Sequence, residues 1–355
     1  LGVGNLLKIA TMFARSPRGL ASRLFETEAA RRVIPGLGLH VDVGPDDRFG
    51  AGLGYMLAVT ATTGGYAVPK GGAQSLTNAM LARLTERGGE IRLGARVARV
   101  LVRRGRAAAV QLDDGTEIAA RRAIVANTSP AMLLLSMVDE REVPGWVRGF
   151  MKRFPQGWGT FKVDWALSAP VPWRVEAARE SAVVHAGESV DDLARFTREA
   201  RAGKLPERPY LVVGQQSLSD PSRAPPGKHT LYCYSHVPGQ VDGGWAAARE
   251  AFADRVEARI EELAPGFRAS ILGRHIMAPS DLEARNANLV GGDLGGGSNA
   301  WHRQLLFRPL FPYFRYRMPV EGLYLCSSYA HPGAGVHGMC GANAALIAAT
   351  DAGAP

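Results

Sequence analysis

The sequence predicts a fold of the α/β and α+β classes, and three stretches support that prediction. Residues 322–347 read as a short apolar strand, a glycine-rich turn and an alanine-rich helix. Residues 90–127 place short β-rich runs between Arg-Gly and Asp-Gly turns, which is typical of a small antiparallel meander, here ending in a buried strand. Residues 128–278 mix strand and helix patterns. A chain of 355 residues can bury the core of two domains, or of one domain with a large insertion.

The composition is that of a globular protein with an excess of basic residues. Lys and Arg together number 42 and Asp and Glu number 33, so the net charge is +9. The basic residues are scattered among acids, which favours a solvated surface; attraction to an anionic cofactor, a membrane surface or nucleic acid is the alternative. The sequence contains no nucleic-acid-binding motif, and no run of about 18 apolar residues indicates a membrane-spanning helix. We therefore expect no nucleic-acid partner.

Cysteine and histidine usage argues against disulfides and metals. The three cysteines, Cys233, Cys326 and Cys340, are too few for a disulfide scaffold and lack the spacing of a metal site. We expect small buried thiols in a reducing compartment. The histidines lie far apart without acidic neighbours at ligand spacing, so we also expect no metal.

The first 57 residues are expected to be mostly helical, with breaks at Ser16-Pro17 and at residues 34–36. Because helical sequence is already under way at Leu1, without a Met or a signal pattern, we interpret the chain as a piece of a longer protein. The glycine-rich stretches 36–38 and 50–54 do not complete G-x-G-x-x-G, so we predict that they are turns between helices.

A tight glycine-rich loop is predicted at residues 64–72, followed by a helix at residues 73–87 with its apolar side chains on one face. Four glycines around Pro69 permit the backbone to approach something flat or bulky. A plain loop before a surface helix fits the pattern equally well. Both interpretations stay open.

The middle of the chain is predicted to contain helices at 130–138 and 246–263, the second ended by Pro265-Gly266. Strands are predicted at 160–165, 182–185, 210–213 and 230–236. Five aromatic side chains alternate along these strands, and we favour core packing over a pocket lining for them. They are Trp158, Phe161, Trp165, Tyr232 and Tyr234.

The C-terminal stretch contains a literal G-x-G-x-x-G at residues 333–338. We do not expect a dinucleotide-binding domain to begin there, since Pro355 comes before the second strand and the acidic residue that such a domain requires. What remains is a helix N-terminus preceded by glycines that let backbone amides approach closely. This arrangement suits an anion such as a pyrophosphate, or the electron-accepting edge of a flavin.

Several motifs together resemble a known family. Residues 319–326, 331–338 and 341–345 are similar to the C-terminal flavin-binding signature of phytoene desaturase-like FAD-dependent oxidoreductases, in particular the branch of pyridine nucleotide-disulfide oxidoreductase domain-containing protein 2. The resemblance covers residues 64–349 and is most specific in the C-terminal part. Further matches are Gly64-Gly65-Tyr66 with residues 69–72, the 90–127 meander, Gly291-Gly292-Asp293-Leu294, and Gln304-Leu305 with Phe307-Arg308-Pro309.

The resemblance implies an incomplete Rossmann-like FAD domain built from discontinuous segments, together with an inserted substrate domain of antiparallel sheet and helices. The opening βαβ unit of the family, with its own G-x-G-x-x-G and ribose-binding acid, is expected to be missing, through either a truncated sequence or a real loss. The implied borders are 1–63 for a helical segment of the substrate domain, 64–127 for an FAD-domain segment with the meander, 128–285 for the substrate domain, and 286–355 for the C-terminal FAD-domain segment.

The residues that the resemblance implies for FAD contact lie in three places. They are Val97 in the meander; Lys70, Gly71 and Gly72 in the loop; and Ser328, Tyr329, His331, Gly333, Gly335, Val336 and Gly338 in the C-terminal turn. No catalytic residue is assigned. His331 is the candidate, followed by His302 and His337, and a structural role competes with a site role for each of them.

The implied function is that of an FAD-dependent oxidoreductase, of the dehydrogenase, desaturase or isomerase type, acting on an apolar substrate such as a polyene or a lipid-like molecule. Because hydride transfer to a flavin depends mainly on geometry and an electron sink, the cofactor would carry the chemistry. A non-catalytic relative that binds or regulates is the alternative. We expect a cytoplasmic location, and the net charge with the apolar leading helices adds peripheral membrane contact as a further interpretation.

Overall fold

The computed structural model describes residues 2–353. It divides the chain into two compact units: unit 1 comprises Leu1–Glu90 and Trp158–Arg285, and unit 2 comprises Ile91–Gly157 and Asn286–Pro355. These borders differ from the predicted ones at two places, because residues 64–90 group with unit 1 and residues 128–157 with unit 2. The assignment of a cofactor role and a substrate role to the segments stays a prediction.

The α-helices and strands account for most predicted elements. The helices are α1 Val3–Phe13, α2 Pro17–Leu24, α3 Glu28–Arg31, α4 Val33–Gly38, α5 Ala51–Thr63, α6 Ala73–Glu86, α7 Pro130–Met132, α8 Gly145–Met151, α9 Glu176–Glu180, α10 Val190–Arg201, α11 Gln216–Ser219, α12 Trp245–Leu263, α13 Pro279–Arg285 and α14 Met339–Asp351. The strands are β1 Val97–Arg103, β2 Arg106–Leu112, β3 Glu117–Ala119, β4 Ile124–Ala126, β5 Gly159–Leu167, β6 Val183–Ala186, β7 Leu211–Gly214, β8 His229–Val237, β9 Ile271–Met277 and β10 Leu323–Leu325. Strand β9 and helices α8, α9, α10, α11 and α13 are not among the predicted elements.

The N-terminal helices of unit 1 confirm one predicted break and overturn the other. Ser16 caps α2 by accepting a hydrogen bond from the Gly19 amide at 3.1 Å, and Pro17 occupies the first helical position. The predicted break at residues 34–36 is wrong, because Pro35 lies in the first turn of α4, where a missing N–H removes no intrahelical hydrogen bond.

The glycine-rich stretches 36–38 and 50–54 are also not the predicted turns, since most of their residues lie inside α4 and α5. Close helix packing explains the glycines. A Cβ at Gly54 would lie 2.3 Å from the carbonyl oxygen of Ile34, and one at Gly52 would lie 2.2 Å from the ring of Phe13. Glycine therefore serves the approach of neighbouring helices here.

Unit 1 is built on a five-stranded antiparallel sheet in the order β6-β7-β8-β5-β9. Side chains alternate between its two faces, so Phe161 and Trp165 of β5 share one face with Cys233 and Leu231 of β8, which stand opposite Val163 and Trp165. That face joins α12 in the largest apolar cluster of the unit, which confirms core packing for Phe161 and Trp165. The opposite face carries Tyr234 and a set of polar side chains.

Unit 2 contains the predicted antiparallel meander as β1-β2-β3, except that its first predicted β-rich run, at residues 90–93, forms no strand. The predicted last strand of the meander, β4, is placed wrongly: it pairs in parallel with β10, with Ile124 opposite Leu323, and Val125 is exposed. A three-residue apolar run does not specify its partner, and this partner is distant in sequence. Residues 130–137 are helical as predicted, with a π-helical turn at Leu133–Met137.

Two of the three cysteines are buried, as the sequence predicts. Cys233 and Cys340 are buried, Cys326 is half-buried, and all three thiols are free. Burial raises the pKa of Cys233 and of Cys326. Within residues 2–353, no helix is both long and apolar enough to cross a bilayer.

Candidate functional site

The predicted strand, turn and helix of the C-terminal stretch form the centre of the candidate site in unit 2. Strand β10 is fully buried, and the turn that follows is anchored by two side chains. The Ser327 hydroxyl donates to the carbonyl oxygen of Thr128 at 2.7 Å, and the buried Tyr329 hydroxyl donates to the carbonyl oxygen of Asn288 at 2.8 Å. These anchors fix the backbone from which residues 330–338 project.

The glycines of this turn adopt conformations that other residues rarely take. The φ angles of Gly333, Gly335 and Gly338 are 102°, 144° and 69°. At Gly335 a Cβ would lie 2.6 Å from the ring of His337. The His337 ring in turn accepts a hydrogen bond from the amide of Met339, the first residue of α14, at 3.0 Å. The outer side of the turn is open to solvent, as the 93% exposure of Val336 shows.

A buried arginine supports the turn from behind. Arg308 is 2% exposed, and its Nη2 donates at 2.8 Å to each of three carbonyl oxygens, those of Gly295, Gly296 and Ser328. A Cβ at Gly333 would lie 3.1 Å from the Arg308 guanidinium. The cation therefore links the 295–296 loop to the turn and places a positive charge beneath it.

The loop on the other side of Arg308 is organised by the carboxylate of Asp293. This buried carboxylate accepts hydrogen bonds from the amides of Gly157 at 2.7 Å, Gly295 at 2.6 Å and Gly297 at 2.8 Å. The loop lies so close to the turn that a Cβ at Gly296 would approach the Ser328 hydroxyl to 2.4 Å. Charge-assisted hydrogen bonds of this kind define a loop conformation strongly.

His331 is the histidine best placed for a site role. Its backbone carbonyl accepts a hydrogen bond from the Tyr316 hydroxyl at 2.6 Å, and Asn343 Nδ2 donates to that hydroxyl at 2.7 Å. Burial, followed by the charge of Arg308, lowers the pKa of His331, so its ring is neutral near pH 7. Its Nδ1 is buried and has no hydrogen-bond partner among residues 2–353. An orphaned ring nitrogen beside an open glycine turn fits a bound polar cofactor.

The loop containing Lys70, Gly71 and Gly72 belongs to unit 1 and is held by a different carboxylate. Asp220 accepts from the Gly71 amide at 2.7 Å, and Arg223 Nη2 donates to the carbonyl oxygen of Pro69 at 2.7 Å. Hydrogen bonds from Ser222, from Gly71 and from Arg223 lower the pKa of Asp220 well below its usual value. The glycine-rich loop is thus fixed in place and is not a free surface loop.

Asp220→Asn should loosen this loop without unfolding unit 1, since an amide cannot accept the same set of hydrogen bonds. We expect amide hydrogen exchange at residues 69–72 to become about tenfold faster, measured by mass spectrometry on peptides covering the loop. Asp242→Asn, at an exposed aspartate of the same unit, is the control and should leave exchange unchanged. Equal exchange in the two variants would show that Asp220 does not hold the loop.

The structure brings some of the predicted site residues together and keeps others apart. The residues from Ser328 to Gly338 share one turn in unit 2. Val97 lies at the start of β1, opposite Leu112, and residues 70–72 lie in unit 1. His302 is exposed in a short 3-10 turn at Trp301–Arg303. A role in cofactor contact stays a prediction for all of them.

Sequence reasoning missed the two side chains that hold the turn and its neighbouring loop. Asp293 and Arg308 both belong to motifs that carried the family resemblance, the Gly-Gly-Asp-Leu stretch and the Phe-Arg-Pro stretch. The sequence signal that could have identified them is a single charged residue inside a glycine- or proline-rich loop. If such a residue is buried, its charge requires several hydrogen bonds.

A glycine turn at a helix N-terminus lets backbone amides approach an anionic group closely, as in α/β proteins that bind phosphate-containing cofactors. The chain belongs to the flavin-containing amine oxidoreductase family: residues 6–349 match the family described as "Flavin containing amine oxidoreductase". The resemblance to phytoene desaturase-like oxidoreductases is thereby confirmed.

Individual relatives agree with this assignment. The chain is 32% identical over 323 residues to pyridine nucleotide-disulfide oxidoreductase domain-containing protein 2 of Mus musculus, which covers 84% of this chain and 55% of the relative. It is 30% identical over 281 residues to a neurosporene-forming phytoene desaturase of Rhodobacter capsulatus, covering 76% of this chain and 51% of that protein. The chain thus spans about half the length of these relatives.

Solved structures show the same fold at low sequence identity. An oxidoreductase from Methanosarcina mazei is similar with a TM-score of 0.64 and 15% identity, over 99% of this chain and 73% of that chain. Cyclohexylamine oxidase from Brevibacterium oxydans is similar with a TM-score of 0.54 and 14% identity, over 96% of this chain and 69% of that chain. The mixed α/β fold is therefore that of the flavin amine oxidases over most of the chain.

Proposed function

We propose that this chain forms part of an FAD-dependent oxidoreductase that removes hydride from a polyene or lipid-like substrate, or isomerises it. The observation that carries the proposal is the turn at residues 328–338, where positive-φ glycines, the buried Arg308 cation and an orphaned His331 nitrogen converge. Membership of a flavin-containing family supports it. We further propose that unit 2 is the incomplete Rossmann-like FAD domain and that the sheet of unit 1 belongs to the substrate domain.

Unit 2 would hold the cofactor mainly through its backbone. FAD, when bound, supplies an electron sink that accepts the hydride equivalent. Gly333, Gly335 and Gly338 let main-chain amides approach an anionic or carbonyl group closely, and the N-terminal end of α14 favours negative charge there. The Arg308 guanidinium, which lies next to Gly333, would add positive charge beneath the turn. The His331 ring would hydrogen-bond to the cofactor through Nδ1. The protein residues therefore bind and orient, and no acid or base of unit 2 needs to react.

The proposed substrate class is apolar, and unit 1 supports this choice. No residue of α6 is buried, yet the helix exposes Leu76, Met80, Leu81 and Leu84, which lie on one face. Such an exposed apolar stripe suits an apolar molecule. Among the relatives, a protein of Daucus carota that is 25% identical to this chain is a prolycopene isomerase, and that of Rhodobacter capsulatus is a phytoene desaturase.

Flavin content separates this proposal from a non-catalytic binding role. We would express residues 1–355 alone and the complete open reading frame that contains them, and record the absorption bands of oxidised flavin after purification and after addition of FAD. We expect the product of the complete reading frame to hold flavin. A colourless product that FAD does not reconstitute would remove the enzyme proposal and leave the binding role.

Gly335→Ala in the flavin-holding protein should lower FAD affinity about tenfold, because a Cβ at φ 144° strains the turn and meets the His337 ring. Gly105→Ala is the matched control: it also has a positive φ, 75°, but nothing lies within 4 Å of its Cβ. Fluorescence titration with FAD measures both. If the two variants lose the same affinity, general backbone strain is responsible and the turn is not the cofactor site.

A further inference from the structure

Unit 1 contains a connected row of three hydrogen-bonding side chains that the proposed flavin site does not use. His185 Nε2 and His40 Nε2 share a hydrogen bond of 2.6 Å, and His40 Nδ1 shares one of 2.8 Å with the Tyr234 hydroxyl. His185 lies on β6 at the edge of the sheet, and Tyr234 lies on β8, the middle strand. The row therefore leads from the sheet edge to its centre.

The two ends of this row differ in their access to solvent. His185 is exposed, whereas His40 and Tyr234 are half-buried. Tyr210, which is buried and donates from its hydroxyl to the carbonyl oxygen of Gly36 at 2.7 Å, stacks on the His185 ring at 6.2 Å between centroids with an interplanar angle of 6°. This stacking holds the outermost ring in the orientation that reaches His40.

Each hydrogen bond in the row can carry its proton on either side, because a neutral imidazole is a donor at one nitrogen and an acceptor at the other. In one arrangement Tyr234 donates to His40 and His40 donates to His185. In the other, His185 donates to His40 and His40 donates to Tyr234. Burial lowers the pKa of His40 to about 3. The pKa of His185 is lowered to about 4 because its ring is buried against those of His40 and Tyr210, although the residue as a whole is exposed. Both rings are therefore neutral near pH 7, as these arrangements require.

We propose that His185, His40 and Tyr234 form a proton-transfer chain between solvent and the face of the unit 1 sheet that carries Tyr234. The proposal rests on the proposed function, in which that unit receives the substrate: removing a hydride and a proton from adjacent carbons to form a double bond requires a route for the proton. Tyr234 is then the residue that meets the proton, and the two histidines pass it on.

The transfer conserves protons at every step. A proton arrives at the Tyr234 oxygen while the Tyr234 proton moves to His40 Nδ1. The proton on His40 Nε2 moves to His185 Nε2, and the proton on His185 Nδ1 leaves to water. One proton enters and one leaves, and all three groups stay neutral before and after, so no oxidant or reductant is needed.

Charged side chains lie next to the row at its Tyr234 end. On the same sheet face, Lys162 stands opposite Tyr234 and forms an ion pair with Asp164. The Lys162 ammonium lies 5.6 Å from the centroid of the Tyr232 ring, and His236 lies 5.9 Å from Tyr234 between ring centroids. Tyr210 faces the row at its outer end.

The proton-transfer chain can be tested by NMR on protein carrying ¹⁵N-labelled histidine, without flavin or substrate. The experiment follows the ring N–H proton of His40. His185→Gln keeps a side-chain amide that can hydrogen-bond to His40 but cannot accept a proton at one atom and release it from another. We expect exchange of the His40 proton with water to slow about tenfold in this variant. His275→Gln, at an exposed histidine on β9 of the same sheet, should leave the rate unchanged.

Two further measurements make the result decisive. Tyr234→Phe should shift the tautomer balance of both His40 and His185, although of these two histidines His40 alone hydrogen-bonds to Tyr234. Tyr232→Phe should shift neither. Equal His40 exchange in the His185→Gln and His275→Gln variants, or a tautomer shift limited to His40, would overturn the proposal. A chelator that abolishes the effect of His185→Gln on His40 exchange would also overturn the proposal, because it would identify a metal site. Since the readout needs no cofactor, a colourless protein would overturn the flavin proposal and not this one.

Discussion

Replacing Arg308 with methionine should lower the free energy of unfolding of unit 2 by about 3–5 kcal/mol. The methionine fills a similar volume but leaves the carbonyl oxygens of Gly295, Gly296 and Ser328 without their donor in a buried place. Each unsatisfied buried carbonyl costs about 1–3 kcal/mol, and the desolvation cost that the guanidinium no longer bears offsets part of the sum. The loss should therefore be large although no apolar contact is removed.

Chemical denaturation combined with hydrogen exchange by mass spectrometry measures this effect unit by unit. Peptides from residues 291–338 should exchange faster in the variant, and peptides from the unit 1 sheet should not. Arg308→Lys should recover only part of the loss, because a single ammonium group cannot donate to all the acceptors that the planar guanidinium reaches. Arg315→Met, at an exposed arginine of unit 2, is the control. Stability of Arg308→Met equal to that of the control would show that Arg308 does not tie the loop to the turn.

The elements that the sequence predicts correctly are those encoded by short-range pattern. The strand–turn–helix at residues 322–347 is one of them, because an apolar run, glycines and an alanine-rich run each favour one local conformation. The α12 helix is another, with Pro265-Gly266 beyond its end. In contrast, the partner of β4 lies about two hundred residues away at β10, and three apolar residues contain no information on that choice.

Glycine was the least informative residue type at the N-terminus. Gly52 and Gly54 suggest turns to local reasoning, but they permit contacts with Phe13 and Ile34 that only the packed helices reveal. The same limit applies to the candidate site. The turn itself follows from sequence, whereas the roles of Asp293 and Arg308 depend on which distant carbonyls and amides they reach.

Acidification should destabilise unit 1 before it affects most carboxylates. The pKa of His40 is lowered to about 3 by burial and by the nearby His185 and His236, against 6.5 in the unfolded chain. Between those values the unfolded state binds a proton that the folded state does not, so stability is fully present above pH 6.5 and is lost as the pH falls. At pH 5 the expected loss from His40 is about 2 kcal/mol relative to pH 7.5. His185, whose pKa is lowered to about 4, adds less because it is exposed to solvent.

The loss of stability between pH 7.5 and 5 can be told apart from protonation of the hydrogen-bonded carboxylates. Hydrogen bonds lower the pKa values of Asp220 and Asp351, so both side chains stay ionised at pH 5. His40→Gln should flatten the dependence between pH 7.5 and 5, as a glutamine has no proton to gain, whereas His302→Gln in unit 2 should retain it. Urea denaturation at the two pH values, followed by tryptophan fluorescence, measures the difference: four of the six tryptophans lie in unit 1. An unchanged slope in His40→Gln would mean that His40 gains its proton in the folded protein near pH 6.5, and that the neutral row of His185, His40 and Tyr234 does not persist below neutrality.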